Sequence, residues 1–497
     1  MAGSALFTLS RAQAQPRLGG TLTVLLPAAP SGFVPGIATD APALFVGSKI
    51  YQGLVTFSPA LEPLPELARS WSVSSDGRTT IFKLRPGVTW HDGRPFTSDD
   101  VLFSVTRFAM EQPTRAKDVF SRIKAASAPD PETVLLTLDR PFQPFLLMFD
   151  VTACPIVSRH LWADAPNDAP PIGTGPFRWD PAAPLRLRRN EHYWKPGQPY
   201  LDEIICRVMP GSAARAAALE AGEAQLVTEL DPADAARLRE VPSLEVTTAA
   251  APYFSPLLSL VLNHRVASLA DVRVRQAISL AVDREYIRKQ VWHGMGVLAT
   301  GPVASTTRFY DPGLGPLPRD PRRAAGLLTE AGLRPNGQGV RLTLRHLVDP
   351  GDPLGASLAG ILRASMRQVG IDLILDTAIA GEYARRLADG AYETVAVTRN
   401  QYGDPSLGVA QDYIGEDAAS GFYRQDRVTQ LFADAAAAEE PPSRRAALAA
   451  VQRLLLAGTP RVWLLEVPQP VAHDRRLGPG IDGGTGLYGS FDTVRLG

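Results

Sequence analysis

ARSWSVSSDGRTTIFKLRPGVTWHDGRPFTSDDVLFSV, residues 68–105, is the stretch that decides the fold. Asp76-Gly77 separates two alternating segments, SWSVS and TTIFKLR. That is a strong hairpin signal, because both turn residues tolerate the backbone a tight reversal needs. His91-Asp92 is flanked by Gly93 and Pro95 and reads as a turn. Thr97 is placed to cap a helix, with the Asp100 carboxylate three residues on, near the first-turn amides. Val101, Leu102, Val105 and Phe108 then share one helical face. Spacing alone gives hairpin, turn, helix.

Working outward, 497 residues exceed the size at which one hydrophobic core stops growing, so at least two domains are expected. A hydrophobic fraction of 45% with 21% charge is that of a soluble globular chain. The formal net charge of zero argues against a broad nucleic-acid footprint. Arginine outnumbers lysine 45 to 6, a bias read as coding composition rather than anion recognition. No run of 18 apolar residues predicts a membrane span. Ala2–Leu9 is short and apolar, and Ala12-Gln13-Ala14 fits an export cleavage site. Residues 1–15 are therefore expected to be a residual signal peptide or a tail. Cys154 and Cys206, the only cysteines, allow one disulfide or two buried thiols.

Residues 20–26, GTLTVLL, read as a first strand, and 31–47 as an irregular Pro/Gly/Ala connection. Thr133–Leu138 is a strand, and 165–177 a Pro/Gly loop ending in PPIGTGPF. The second half is richer in helices. One is predicted over Asp271–Lys289, from Val274, Ile278, Ala281 and Val282. A second opens at Asp320-Pro321 and can close at Gly332, and a third spans Pro353–Val369 with Gly370 as its stop. Ile371–Leu375 is a strand, and Ser443 is expected to cap a helix through Ala457. Alternating strands and helices indicate an α/β architecture.

The signature stretch resembles that of the family-5 extracellular solute-binding proteins, the bacterial peptide- and nickel-type receptors of ABC importers. Other segments resemble the same family in the same order: Tyr51-Gln52-Gly53-Leu54, IGTGPF at 172–177, NEHYW at 190–194, Ala217–Leu226, DVRVRQAISLAVDRE at 271–285, Gly370-Ile371 and Gly403-Asp404-Pro405. Gln52 stands where the family has Glu, and Gln225 where it has Asp. The resemblance implies a two-lobed periplasmic-binding-protein fold, type II in its large cluster C form. It has an extra subdomain in lobe I and a hinge between lobes. Lobe I would comprise 16–41, 165–250 and 461–497, with the subdomain at 42–164 and lobe II at 251–460. It also implies a periplasmic, monomeric receptor that delivers a small molecule to ABC permease subunits in the inner membrane, without cofactor, metal or nucleic acid. A peptide or peptide-like ligand is expected. Nickel chelates, opines, oligosaccharides and other metabolites stay open, as does presentation to a chemoreceptor or sensor kinase.

No catalytic pattern emerges. The seven histidines form no H-x-x-x-H or H-E-x-x-H spacing, Gly173 and Gly175 open no phosphate-binding helix, and no serine sits in a G-x-S-x-G elbow. Arg273 and Arg275 cannot share a helix face, so one is expected to pair and the other to be solvated. Trp71, Trp90, Trp179 and Trp194 read as packing residues. The candidate ligand-binding residues are Thr398, Arg399, Asn400, Gln401 and Tyr402, polar groups at a strand end where a cleft can reach them. By resemblance to oligopeptide-binding relatives, Gln401 holds the place of a carboxylate that receives a peptide ammonium, and Thr398 that of a tryptophan. A neutral amide lacks the charge-assisted contact. Arg399 offers a planar fork suited to a ligand carboxylate. Phe33, in Phe33-Val34-Pro35 where relatives have L-D-P, is a candidate apolar wall.

Overall fold

Strand Thr21–Leu26 runs through a seven-stranded sheet, parallel to Glu203–Val208 on one side and Leu226–Val227 on the other. Leu22 and Val24–Leu26 are fully buried, the pattern of a strand covered on both faces. Arg186–Arg189 and Phe177–Trp179 extend the sheet at one edge, Val471–Asp474 and Leu244–Thr247 at the other, all antiparallel. The computed structural model describes residues 19–497 except 113–114, 164–169, 249, 380, 415–419, 479–480 and 482–483. The proposed export segment and the start of the 165–177 loop lie outside the described residues.

A second sheet has six strands, in the order Val297–Leu298, Arg461–Glu466, Leu257–Leu262, Thr394–Arg399, Leu342–Val348, Ile371–Thr377. Two of its inner strands, Leu257–Leu262 and Arg461–Glu466, are buried along their whole length. Residues 461–466 pair within this second sheet, and the chain returns to the first sheet only after Glu466. The two sheets are joined between residues 247 and 257 and again between 466 and 471. These crossings run side by side: the Val467 amide donates to Pro256 O at 2.9 Å.

The signature stretch folds as its local chemistry requires. Ala68–Val73 and Thr79–Leu84 pair antiparallel across the Asp76-Gly77 turn, in a four-stranded sheet completed by Thr133–Leu138 and Ile123–Asp130. Asp100 Oδ2 accepts the Thr97 amide at 3.0 Å at the start of helix Ser98–Phe103. Its other oxygen accepts the Arg159 amide at 2.9 Å, tying the helix to a distant segment. His91 is held neutral. Its Nδ1 accepts from Gly173 N and its Nε2 faces Gly175 O at 2.9 Å, while burial pushes its pKa down to about 4.

Motifs far apart in sequence meet around Gln52. Its Oε1 accepts from Thr174 Oγ1 and Trp194 Nε1, and its Nε2 donates to Tyr193 Oη and Glu66. A Cβ on Gly173 would stand 1.9 Å from Ile50 O, so only glycine lets this loop close on the end of helix Ala41–Ile50. That helix replaces part of the irregular connection expected over 31–47. Asp40 caps it, accepting from Ala43 N at 3.0 Å.

Three further readings change. The helix predicted over Asp271–Lys289 is two, Val272–Ala281 and Arg284–Val291, because Val282 is extended and Asp283 begins a new cap. The last long helix starts at Pro441, not after Ser443, because Pro441-Pro442 fill first-turn positions that need no N–H. Of the two alternatives left open for the cysteines, the structure has the second: Cys154 and Cys206 are separate buried thiols. Arg275 is buried and donates to carbonyls of Leu269, Ala270, Gly458 and Thr459, whereas Arg273 pairs with Asp271 at the surface. Among the described residues no helix is long and apolar enough to cross a membrane.

Candidate ligand-binding site

Strand Thr394–Arg399 ends at the rim of its sheet and runs into a loop that folds back on itself. A Cβ on Gly408 would lie 2.5 Å from Asn400 O, so the fold-back depends on glycine there. Asp404 pins the same loop. Its carboxylate accepts the Ser406 amide at 2.9 Å and two bonds from Arg444 Nη2, at 2.8 and 2.7 Å. Both side chains of this ion pair are buried.

The loop encloses one wall of a cavity of about 630 Å³. Thr398, Arg399, Asn400, Tyr402, Ser406–Gly408, Ala410–Asp412 and Ile414 line that wall. The facing wall comes from the four-stranded subdomain and its flanks: Asp118, Val119, Arg122 and Phe142. The volume suits a small ligand. Four of the six sequence candidates, Thr398, Arg399, Asn400 and Tyr402, therefore meet at one cavity.

Gln401 and Phe33 do not line it. The Gln401 side chain points into the protein and is 3% exposed. Its Oε1 accepts from Ala304 N at 2.8 Å and Thr307 Oγ1 at 3.0 Å, and its Nε2 donates to Pro302 O at 2.9 Å. The amide clamps the 302–307 loop and is turned away from the cavity. Phe33 packs beside Trp179, ring centroids 6.0 Å apart, against the core of the first lobe.

Charge in the cavity is unevenly matched. Asp412 is held by the buried Arg461, at 3.0 and 3.1 Å, and more distantly by Arg399, whose Nε lies 3.8 Å away. Burial works against the Arg461 charge, but Asp412, with Tyr413 and Tyr392, holds it above the usual arginine range. The Arg399 Nε is buried and has no hydrogen-bond partner. Arg122 lies 4.5 Å over the Phe142 ring. Burial first, then repulsion from Arg140, hold it below the usual arginine range.

The lobes also touch directly. Tyr402, at φ +52°, lies under the Arg115 guanidinium at 3.9 Å. Arg115 Nη1 donates to Tyr253 Oη at 2.9 Å, beside one of the crossings. Leu407 is buried in the core cluster of the first lobe. Among the described residues no three His, Cys, Asp or Glu side chains come together to hold a metal ion.

Residues 62–417 match the middle region of the bacterial extracellular solute-binding proteins, family 5. The chain belongs to that family. This family-5 protein is 31% identical over 423 residues to the dipeptide-binding protein of Escherichia coli K12, covering 78% of this chain and 77% of that one. It is 29% identical over 394 residues to heme-binding protein A of Haemophilus influenzae, with 73% and 71% covered. Among solved structures, it superposes on the ABC transporter-associated periplasmic binding protein DppA of Helicobacter pylori, in complex with peptide STSA. The TM-score is 0.80 at 25% identity, over 97% of this chain and 98% of that one. The family-5 fold is thus the two-lobed, mixed α/β one that the motif order implies.

Asp118, Val119, Arg122 and Phe142 escaped the sequence reading. No period or motif marks them, and only the docking of the subdomain brings them to the cavity. Ser406–Asp412 were within reach, since they continue the loop that Gly403-Asp404-Pro405 begins.

Proposed function

We propose that this family-5 protein is the solute-binding receptor of an ABC importer. It works outside the inner membrane, capturing a peptide or peptide-like small molecule between its lobes. The observation that carries the reading is the 630 Å³ cavity walled by both the subdomain and the loop after Thr394–Arg399. A ligand that touches both walls is held fully only when they are close, so binding favours the closed arrangement. The hinge is the pair of crossings between residues 247 and 257 and between 466 and 471. Lobe II on this reading runs from about Leu257 to Glu466. Thr398, Arg399, Asn400 and Tyr402 contact the ligand, and permease subunits accept it from the closed form. The peptide class is supported by the dipeptide-binding relative and the peptide-bound structural neighbour.

A non-peptide solute is the second reading, favoured by Gln401, whose amide is engaged elsewhere and leaves no carboxylate at the expected ammonium position. Native mass spectrometry of the purified protein against its denatured mass tests the choice. A discrete extra mass matching a short peptide is the expected result. A bound mass of sugar, haem or metal-chelate composition would replace the peptide reading. Conversion of the bound solute into product would overturn the receptor role.

A further inference from the structure

We infer that the cavity selects a ligand by its carboxylate groups, held from both walls by Arg122 and Arg399, and that it does not require a free ammonium group. The inference rests on the cavity being the ligand site.

Among the described residues, two guanidinium groups, Arg122 and Arg399, and two carboxylates, Asp118 and Asp412, line the cavity, and the buried Arg461 stands behind Asp412. Arg461 and Asp412 form a close pair, with two contacts near 3 Å. Arg399 reaches that already occupied carboxylate only at 3.8 Å, and its buried Nε has no acceptor. A ligand carboxylate in front of Arg399 would give the fork a bidentate partner that Asp412 does not. On the other wall, Arg122 makes no ion pair among the described residues and rests on the Phe142 face. Asp118 is exposed at the rim and Asp412 is taken up by Arg461, so among the described residues neither lining arginine has a close carboxylate partner.

The second part follows from Gln401. Its three hydrogen bonds to the 302–307 loop fix the side chain away from the cavity. Thr398, Asn400 and Ser406 are neutral, and Asp412 is engaged by Arg461. Among the described lining residues, Asp118 at the solvent edge is the acidic group left to meet an ammonium, where screening weakens the contact. The ligand class is therefore a small anion with one carboxylate or more: an acidic peptide, an N-blocked peptide or a dicarboxylate.

Calorimetry on the full chain tests this with five probes: Glu-Glu, N-acetyl-Glu-Glu, Gln-Gln, Gln-Gln amide and glutarate. Glu-Glu and its acetyl form are expected to bind within about threefold of each other, and Gln-Gln amide about tenfold or more weaker. R122Q and R399Q should each weaken the acidic probes about tenfold or more. Thermal melts of the variants check that each is folded. Equal affinity for Glu-Glu and Gln-Gln amide, unmoved by R122Q and R399Q, would sink the inference and leave the peptide receptor standing. Glutarate binding that depends on both arginines, with no peptide bound, would sink the peptide reading and keep this one. Silence from all five probes at millimolar concentration overturns the inference.

Discussion

Asp404 and Arg444 illustrate how a single buried pair can hold a binding loop. Asp404 is fully buried, and Arg444, 8% exposed at its side chain, reaches it from helix Pro441–Gly458. Removing one partner strands the other charge out of water. Asp404→Ala is expected to lower unfolding stability by about 3–5 kcal/mol, read from urea denaturation. A loss under 1 kcal/mol would mean that water reaches Arg444. Arg399 behaves differently, because its one ion pair among the described residues is long and its side chain is 41% exposed. Arg399→Ala should leave the melting temperature nearly unchanged. It should weaken binding of a carboxylate ligand by about 1.5–3 kcal/mol by calorimetry, the range for hydrogen bonds to charged groups. Unchanged affinity would remove Arg399 from the site. The residue type at 399 was legible in the sequence. The direction of Gln401 was not, since a strand end followed by Tyr402 at positive φ decides which neighbour faces the cavity.

At the scale of elements, caps were the most legible signals and lengths the least. Asp320 caps its helix as the Asp-Pro pair implies, accepting the Arg323 amide at 2.9 Å, and Asp352 does the same for Gly355. Asp283 does the same for Tyr286 at 2.9 Å, yet it sits inside an unbroken apolar pattern that masks the break. The helical period continues through Val282 because both helices bury their faces in one core. Asp283→Ala is expected to cost about 1 kcal/mol by chemical denaturation, with Arg284–Val291 fraying first in amide exchange. Uniform protection across 272–291 in the variant would show that packing, not the cap, holds the second helix.

For the whole molecule, three histidines couple stability to pH. Burial lowers the pKa of His91, His264 and His346 to about 4, with Arg275 adding to the shift of His264. Unfolded histidine titrates near 6.5. Between these values the unfolded chain binds more protons, so stability is full above about pH 6.5 and falls as pH drops toward 4. His346, 2% exposed, contributes on the order of 3 kcal/mol of that loss. Denaturation midpoints across pH 7 to 4 should fall, and His346→Gln should flatten the slope. A flat profile in the parent protein would mean that these rings titrate normally.

The sequence by itself determined the hairpin, the capped helix, most strands and the order of motifs that places the chain in its family. Those depend on neighbours a few residues apart, where turn chemistry and hydrophobic period act directly. Only the tertiary structure decided that YQGL, GTGP and NEHYW meet around Gln52 and that 461–466 lies in the second sheet. It also decided that Arg122 and Phe142 face the loop after Thr394–Arg399. Such contacts span tens to hundreds of residues and come from burying faces and satisfying polar groups in three dimensions. No local pattern encodes that.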